Sequence, residues 1–177
     1  MPNIKGLTES ASGGRLLADI GGTHARFAWQ QESGAPLEYV QVLQCCNHAG
    51  LLEAAQYWLQ TNHLPAPRQA AIAVACPVNS DLIQLTNNDW SFSVQSIQSQ
   101  LDLDRLLVVN DFTALALALP MLEHQHLFPL GPVEQLPFQR REPVALLGAG
   151  TGLGVSGLLP NPNGGWTALS GEGELAP

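Results

Sequence analysis

Asp19-Ile20-Gly21-Gly22-Thr23 closes an apolar run that begins at Leu16. Two adjacent glycines let a turn fold tightly and present its backbone N–H groups to an anion. Asp19 can stand beside that anion and hold a hydrated cation, and Thr23 adds a hydroxyl donor. Ala18, Asp19, Ile20, Gly21, Gly22 and Thr23 therefore read as a hairpin that receives nucleotide phosphates, with Asp19 reaching Mg²⁺ through water. Gly-Gly before a polar residue is equally an ordinary hairpin turn.

A second constellation, Val108-Val109-Asn110-Asp111-Phe112-Thr113-Ala114, sets a carboxylate where an apolar strand meets a helix. Strand ends of this kind are where α/β sheets bind ligands, and a helix N-terminus favours a charged carboxylate. Asp111 can then take the proton of a substrate hydroxyl as that oxygen attacks, while the Asn110 amide binds the neighbouring hydroxyl. The plainer account of Asp111 is a helix N-cap.

Gly148 to Gly154 has glycine at alternate positions after a strand. A dinucleotide fingerprint needs its third glycine where Leu153 stands, and no lysine follows to make a Walker loop. What remains is a glycine-rich hairpin whose backbone can approach a phosphate, with Gly150, Thr151 and Gly152 at its tip, or a structural glycine turn. Ser170-Gly171-Glu172-Gly173-Glu174 places Glu172 on a flexible loop, suited to accepting sugar hydroxyls or to plain solvation. His124-Gln125-His126 lacks the partners of a metal site and reads as surface. Thr86-Asn87-Asn88-Asp89-Trp90 is a polar turn whose aromatic could face a sugar ring.

These residues need elements to hold them. Arg15 to Ile20, Ala25 to Gln30 and Leu37 to Gln44 read as three consecutive antiparallel strands. Ala49 to Asn62 has helical apolar spacing, and Gln69 to Ala75 is apolar enough for a strand covered on both faces. Leu82 to Thr86 is a short strand, and Ser93 caps a helix from Val94 to Leu101. Arg105 to Val109 is another buried strand, followed by a helix from Asp111 to Leu119 stopped by Pro120. A long surface connection leads to strands Val144 to Leu147, Val155 to Leu159 and Trp166 to Leu169. The sum is an α/β chain with a mixed sheet.

The totals narrow the function. The 177 residues are 45% hydrophobic and 12% charged, which excludes a disordered chain. A formal net charge of −8 with seven Lys+Arg argues against nucleic acid and against an anionic membrane surface. No apolar run approaches the roughly 18 residues of a membrane-spanning helix. Cys45, Cys46 and Cys76 make neither a disulfide framework nor a metal spacing, which suits a reducing cytoplasm. Residues 1–14 are polar and read as a flexible leader.

Taken in order, Ala-Asp-Ile-Gly-Gly-Thr-His-Ala-Arg, Ala-Cys-Pro-Val, Leu-Thr-Asn-Asn-Asp-Trp-Ser-Phe-Ser, Val-Asn-Asp-Phe-Thr-Ala, Gly-Ala-Gly-Thr-Gly-Leu-Gly-Val and Leu-Ser-Gly-Glu-Gly resemble bacterial glucokinase from about Leu16 to Pro177. The resemblance implies the sugar kinase–actin (ribonuclease H-like) fold, with an N-terminal small α/β lobe at 15–110 and the start of a large lobe at 111–177. It implies ATP-dependent phosphorylation of D-glucose at O6 in the cytoplasm, with ATP and Mg²⁺ as cofactors, and it allows a homodimer. Asp111 takes the place of the catalytic base, with Asn110 and Glu172 as sugar ligands. Ala18 to Thr23 and Gly148 to Gly154 take the places of the two phosphate motifs.

The chain departs from the family pattern at three points. His24 stands where the family usually has Asn. No histidine follows Gly173, where the pattern has Gly-His-Val. The sequence ends at Pro177, while family members run to nearly twice this length. The part beyond would carry another sugar-binding glutamate, the adenosine pocket and a helix completing the first lobe. A truncated, catalytically silent remnant or sugar-binding module is therefore an alternative expectation, as is a kinase for another hexose.

Overall fold

In the computed structural model, the structure describes residues 13–132, 141–149 and 153–173, the last four of these in backbone only. The expected leader falls almost entirely outside the described residues. The chain divides into two compact units, one running up to Asp111 and the other starting at Phe112.

The first unit is built on a five-stranded sheet. Its strands are β1 (Arg15–Ile20), β2 (His24–Gln30), β3 (Glu38–Gln44), β4 (Gln69–Val74) and β7 (Arg105–Asn110), in the order β3-β2-β1-β4-β7. β1, β2 and β3 are antiparallel, whereas β1, β4 and β7 run parallel. A two-stranded ribbon, β5 (Leu82–Gln84) with β6 (Ser91–Ser93), lies between β4 and β7 in the chain. The helices are α1 (Leu51–Thr61) and α2 (Val94–Gln100).

Alternation decides which face is buried. Leu16, Ala18 and Ile20 of β1 and Ala70, Ile72 and Val74 of β4 point into one core, where α1 contributes Leu51, Ala54, Ala55, Trp58 and Leu59. Phe27 of β2 stacks on Trp58 with ring centroids 5.6 Å apart, a contact worth about 1 kcal/mol beyond the area it buries. Glu53 fastens the start of α1, its carboxylate accepting from Ala49 N at 3.1 Å and pairing with His48 Nδ1 at 2.8 Å. The Ser93 hydroxyl caps α2 as expected, accepting from Ser96 N at 3.1 Å.

β4 and β7 differ from their sequence reading. Gln69, Ala71 and Ala73 are only half-buried, and β7 has no fully buried residue, because it forms the sheet edge and pairs only with β4.

The second unit has α3 (Asp111–Ala118, from Phe112 onward), short 3-10 turns at Leu119–Met121 and His124–His126, and an antiparallel meander. The meander's strands are β8 (Val144–Ala149), β9 (Leu153–Pro160) and β10 (Trp166–Gly173), in the order β10-β9-β8. Leu158 and Ser156 are buried on one face, and Ser156 Oγ donates to the Leu169 carbonyl at 2.8 Å. The alternate positions Leu147, Leu153, Leu159 and Leu169 remain exposed. Arg141 closes the β9–β10 turn by donating to Asn161 O at 2.9 Å and Gly164 O at 3.0 Å, and its guanidinium lies over the Trp166 ring.

Ser170 to Gly173 is strand, not the flexible loop that its composition suggests, since cross-strand pairing carries it as far as Gly173 opposite Leu153. Gly148 and Gly154 likewise belong to the ladder, which leaves only residues 150–152 between the two strands.

Candidate functional site

β1, β4 and β7 are each six residues long and start level, with Arg15 opposite Gln69 and Gln69 opposite Arg105. Two ties pin those starts. Arg68 N donates to Gly14 O at 3.2 Å, and Asp104 N donates to Arg68 O at 2.9 Å. Arg68 also grips the Asp104 carboxylate with two nitrogens, Nη2 at 2.5 Å and Nε at 2.9 Å. Equal lengths from level starts give level ends, so Ile20, Val74 and Asn110 lie in one row. With strands about 4.8 Å apart, the Gly21 turn and Asp111 leave the same sheet edge roughly 10 Å from each other. Ligands of α/β sheets bind at such carboxyl ends.

The turn itself is tight. Gly21 N donates to His24 O at 2.9 Å across a two-residue loop of Gly22 and Thr23. Neither glycine has a left-handed backbone, so conformational freedom is not what requires glycine here. Gly22 is needed because a Cβ there would lie 2.7 Å from Asn87 Cβ and 2.9 Å from Asn87 O, whereas one on Gly21 would meet nothing closer than His24 O at 3.6 Å.

The 3-10 turn Cys45–Asn47 clasps this hairpin from below. Cys45 N donates to Thr23 O at 2.9 Å, and the Cys45 thiol donates to Gly21 O at 3.6 Å. Burial pushes the Cys45 pKa above its ordinary value, and the neighbouring Asn88 amide offsets part of that effect. His24, the departure from the family's Asn, meets Gln44 on β3, with its Nε2 accepting from Gln44 Nε2 at 3.0 Å.

Asp19 stands across β1–β2 from Arg26, and its Oδ2 pairs with Arg26 Nη1 at 2.8 Å, both side chains being at least half exposed. Among the described residues no three potential ligands converge on a metal position. One exposed carboxylate beside a glycine turn would fit Mg²⁺ held through water, which asks little more of the protein. It does not fit a dedicated ion cage.

At the other end of the row, Asn110 Nδ2 donates to Cys76 O at 3.3 Å, and Asp111 opens α3. The polar turn after β5 is not a sugar platform. Trp90 is only 4% exposed and donates its indole N–H to His48 O at 3.2 Å, so its faces are spent in the core.

In the second unit, Gly148 and Gly154 face each other across β8 and β9. A Cβ on Gly148 would lie 2.5 Å from the edge of the Phe112 ring, and one on Gly154 would come closer still to Cε2 and Cζ of that ring. Gly150, Thr151 and Gly152 lie outside the described residues. Glu172 lies on β10 in register with Gly154, hence in the row of the two glycines.

Asn87, Cys45, Cys76 and Phe112 escaped sequence reasoning as supports of the site. Their contacts are long-range and leave no periodicity or motif in the chain.

A family model described as Glucokinase matches residues 16–176. The chain belongs to the glucokinase family. It is 49% identical over 160 residues to the glucokinase of Aromatoleum aromaticum, covering 90% of this chain and 47% of that relative. Among solved structures, glucokinase from an Antarctic psychrotroph superimposes with a TM-score of 0.76 at 31% identity, over 91% of this chain and 50% of that one. A ROK family glucokinase from Streptomyces griseus, in complex with glucose and AMPPNP, shares the fold with a TM-score of 0.62 at 19% identity, over 90% and 47% of the two chains. The chain thus spans about half the length of the family members it matches, and its fold is that of the first part of a sugar kinase. No helix among the described residues is long and apolar enough to cross a membrane.

Proposed function

We propose that this chain carries the phosphoryl-transfer elements of an ATP-dependent glucokinase that phosphorylates D-glucose at O6. The observation that carries this reading is the common level of Ile20, Val74 and Asn110, which brings a tight glycine turn and an Asn-Asp pair to one sheet edge.

Asp111 accepts the proton of the glucose 6-hydroxyl as that oxygen attacks the γ-phosphorus, and Asn110 and Glu172 hold neighbouring hydroxyls. Ala18 to Thr23 and Gly150 to Gly152 receive the phosphates through backbone N–H groups, helped by the Thr23 and Thr151 hydroxyls. Mg²⁺ bound with the nucleotide neutralises phosphate charge, and Asp19 holds it through water. Phosphoryl transfer needs positioning and charge stabilisation more than covalent help, which is what these residues supply.

Residues 15–110 act as the small lobe and 111–177 as the start of the large lobe. Cytoplasmic localisation and a homodimer complete the reading. AMPPNP and glucose in the Streptomyces griseus relative support the nucleotide and sugar assignments.

A second reading is a sugar-binding module without turnover. A coupled assay for glucose 6-phosphate, with Asp111→Asn as control, separates the two. Product above the control establishes the kinase. No product, with calorimetry still registering glucose, establishes the binding module. A third reading, another hexose, is tested by substituting mannose or fructose for glucose in the same assay.

A further inference from the structure

We propose that Phe112 is a positioning residue that ties the β8–β9 glycine hairpin to the helix beginning at Asp111. The consequence for nucleotide affinity rests on the proposed function; the tie itself does not.

Gly148 and Gly154 are register partners, and neither can take a side chain while the Phe112 ring is in place. Opposed Cα atoms of an antiparallel pair are about 4.5 to 5.5 Å apart, so one aromatic ring bears on both strands at once. A ring seated this way resists sliding of one strand past the other. One further register pair, Ala149 opposite Leu153, separates the bare glycine pair from residues 150–152. On α3, Thr113 and Ala116 are buried and Phe112 is half-buried. Phe112 is also one peptide bond from Asp111, so the hairpin's footing and the first turn of α3 move together.

Gly148 and Gly154 thus form the seat of the Phe112 ring.

The test compares wild type, Phe112→Ala, Phe112→Leu, Gly154→Ala and the Phe112→Ala/Gly154→Ala pair in this chain, by hydrogen exchange and by calorimetry with ATP and with glucose. Phe112→Ala is expected to speed amide exchange about tenfold in β8 and β9 while leaving β1 to β3 unchanged. It is also expected to weaken ATP binding about tenfold with glucose affinity within about twofold. Phe112→Leu restores most of both, and Gly154→Ala adds nothing once the ring is gone. Unchanged exchange in β8 and β9 overturns the proposal. So does faster exchange spread evenly over both units, or equal loss of ATP and glucose affinity. Where the wild-type chain binds no ATP, the exchange comparison alone decides the tie.

Discussion

Asn110 Nδ2 donates to the carbonyl oxygen of Cys76 at 3.3 Å, binding the last residue of β7 to the chain just beyond the end of β4. β7 is a sheet edge, and its carboxyl end would otherwise be held by ladder bonds on one side only. The tie orients the Asn110 amide and fixes the point from which Asp111 departs. On the opposite side of β4 the matching tie is Ala75 N to Ile20 O at 3.0 Å. Both bonds sit at the edge where the proposed chemistry takes place.

Asp111→Asn keeps size and helix position while removing the proton acceptor. It is expected to lower kcat for glucose phosphorylation by roughly 10²- to 10⁴-fold, the usual contribution of general base catalysis. Glucose affinity and the thermal midpoint should stay close to wild type. Undiminished turnover in this variant would remove Asp111 from the mechanism.

The two turn glycines should differ sharply. Gly22→Ala drives a methyl into Asn87 Cβ and its carbonyl, and is expected to cost about 1 to 3 kcal/mol in urea unfolding, as overpacking does. Gly21→Ala meets only His24 O at 3.6 Å and should stay within about 1 kcal/mol. Equal effects at both positions would mean that Asn87 is not what requires glycine at 22.

Acid should loosen the start of α2. Asp81 accepts from Ser93 Oγ at 2.6 Å and from Gln95 N at 2.9 Å, and these bonds, the Ser93 one foremost, lower its pKa. A carboxylate whose folded pKa is depressed binds fewer protons folded than unfolded. Its contribution is therefore present above about pH 4 and disappears as pH falls through the lowered value. Asp81→Asn should flatten the stability-against-pH curve in that acid window and leave its shape near neutrality unchanged. Ser93→Ala, which also removes the cap on Ser96 N, should cost about 1 kcal/mol near neutral pH.

Cysteine reactivity should follow burial. Cys46 is exposed, while Cys45 and Cys76 are buried, and the Cys45 pKa is raised. Iodoacetamide at neutral pH is expected to label Cys46 first and the other two only on unfolding, read by peptide mass spectrometry. A raised thiol pKa also means that the unfolded chain ionises first. The Cys45 contribution to stability is then complete below the unfolded thiol pKa and declines above about pH 8.5.

The fold was largely legible because its strands carry strong local patterns. Arg15–Ile20 is found with the expected ends, and Ser93 caps its helix as its residue type suggests. Ser91–Ser93 was invisible as a strand, since Ser-Phe-Ser has too few residues to show a period. Ser170 to Gly173 looked like a loop because glycine and serine depress strand propensity, yet pairing with β9 overrides that preference. Glycine at 22, 148 and 154 was visible, but the reason for it was not. In each case the reason is a side chain or carbonyl tens of residues away in the chain.

β4 carries no residue assigned to the chemistry, yet it alone separates β1 from β7. It works as a gauge block between the glycine turn and Asp111. Inserting one residue into it would advance its carboxyl end by about 3.3 Å and turn its inward face outward. A misplacement of even about 1 Å can cost a positioned reaction a hundredfold. The strand Gln-Ala-Ala-Ile-Ala-Val can therefore exchange side chains of similar volume more readily than it can change its length.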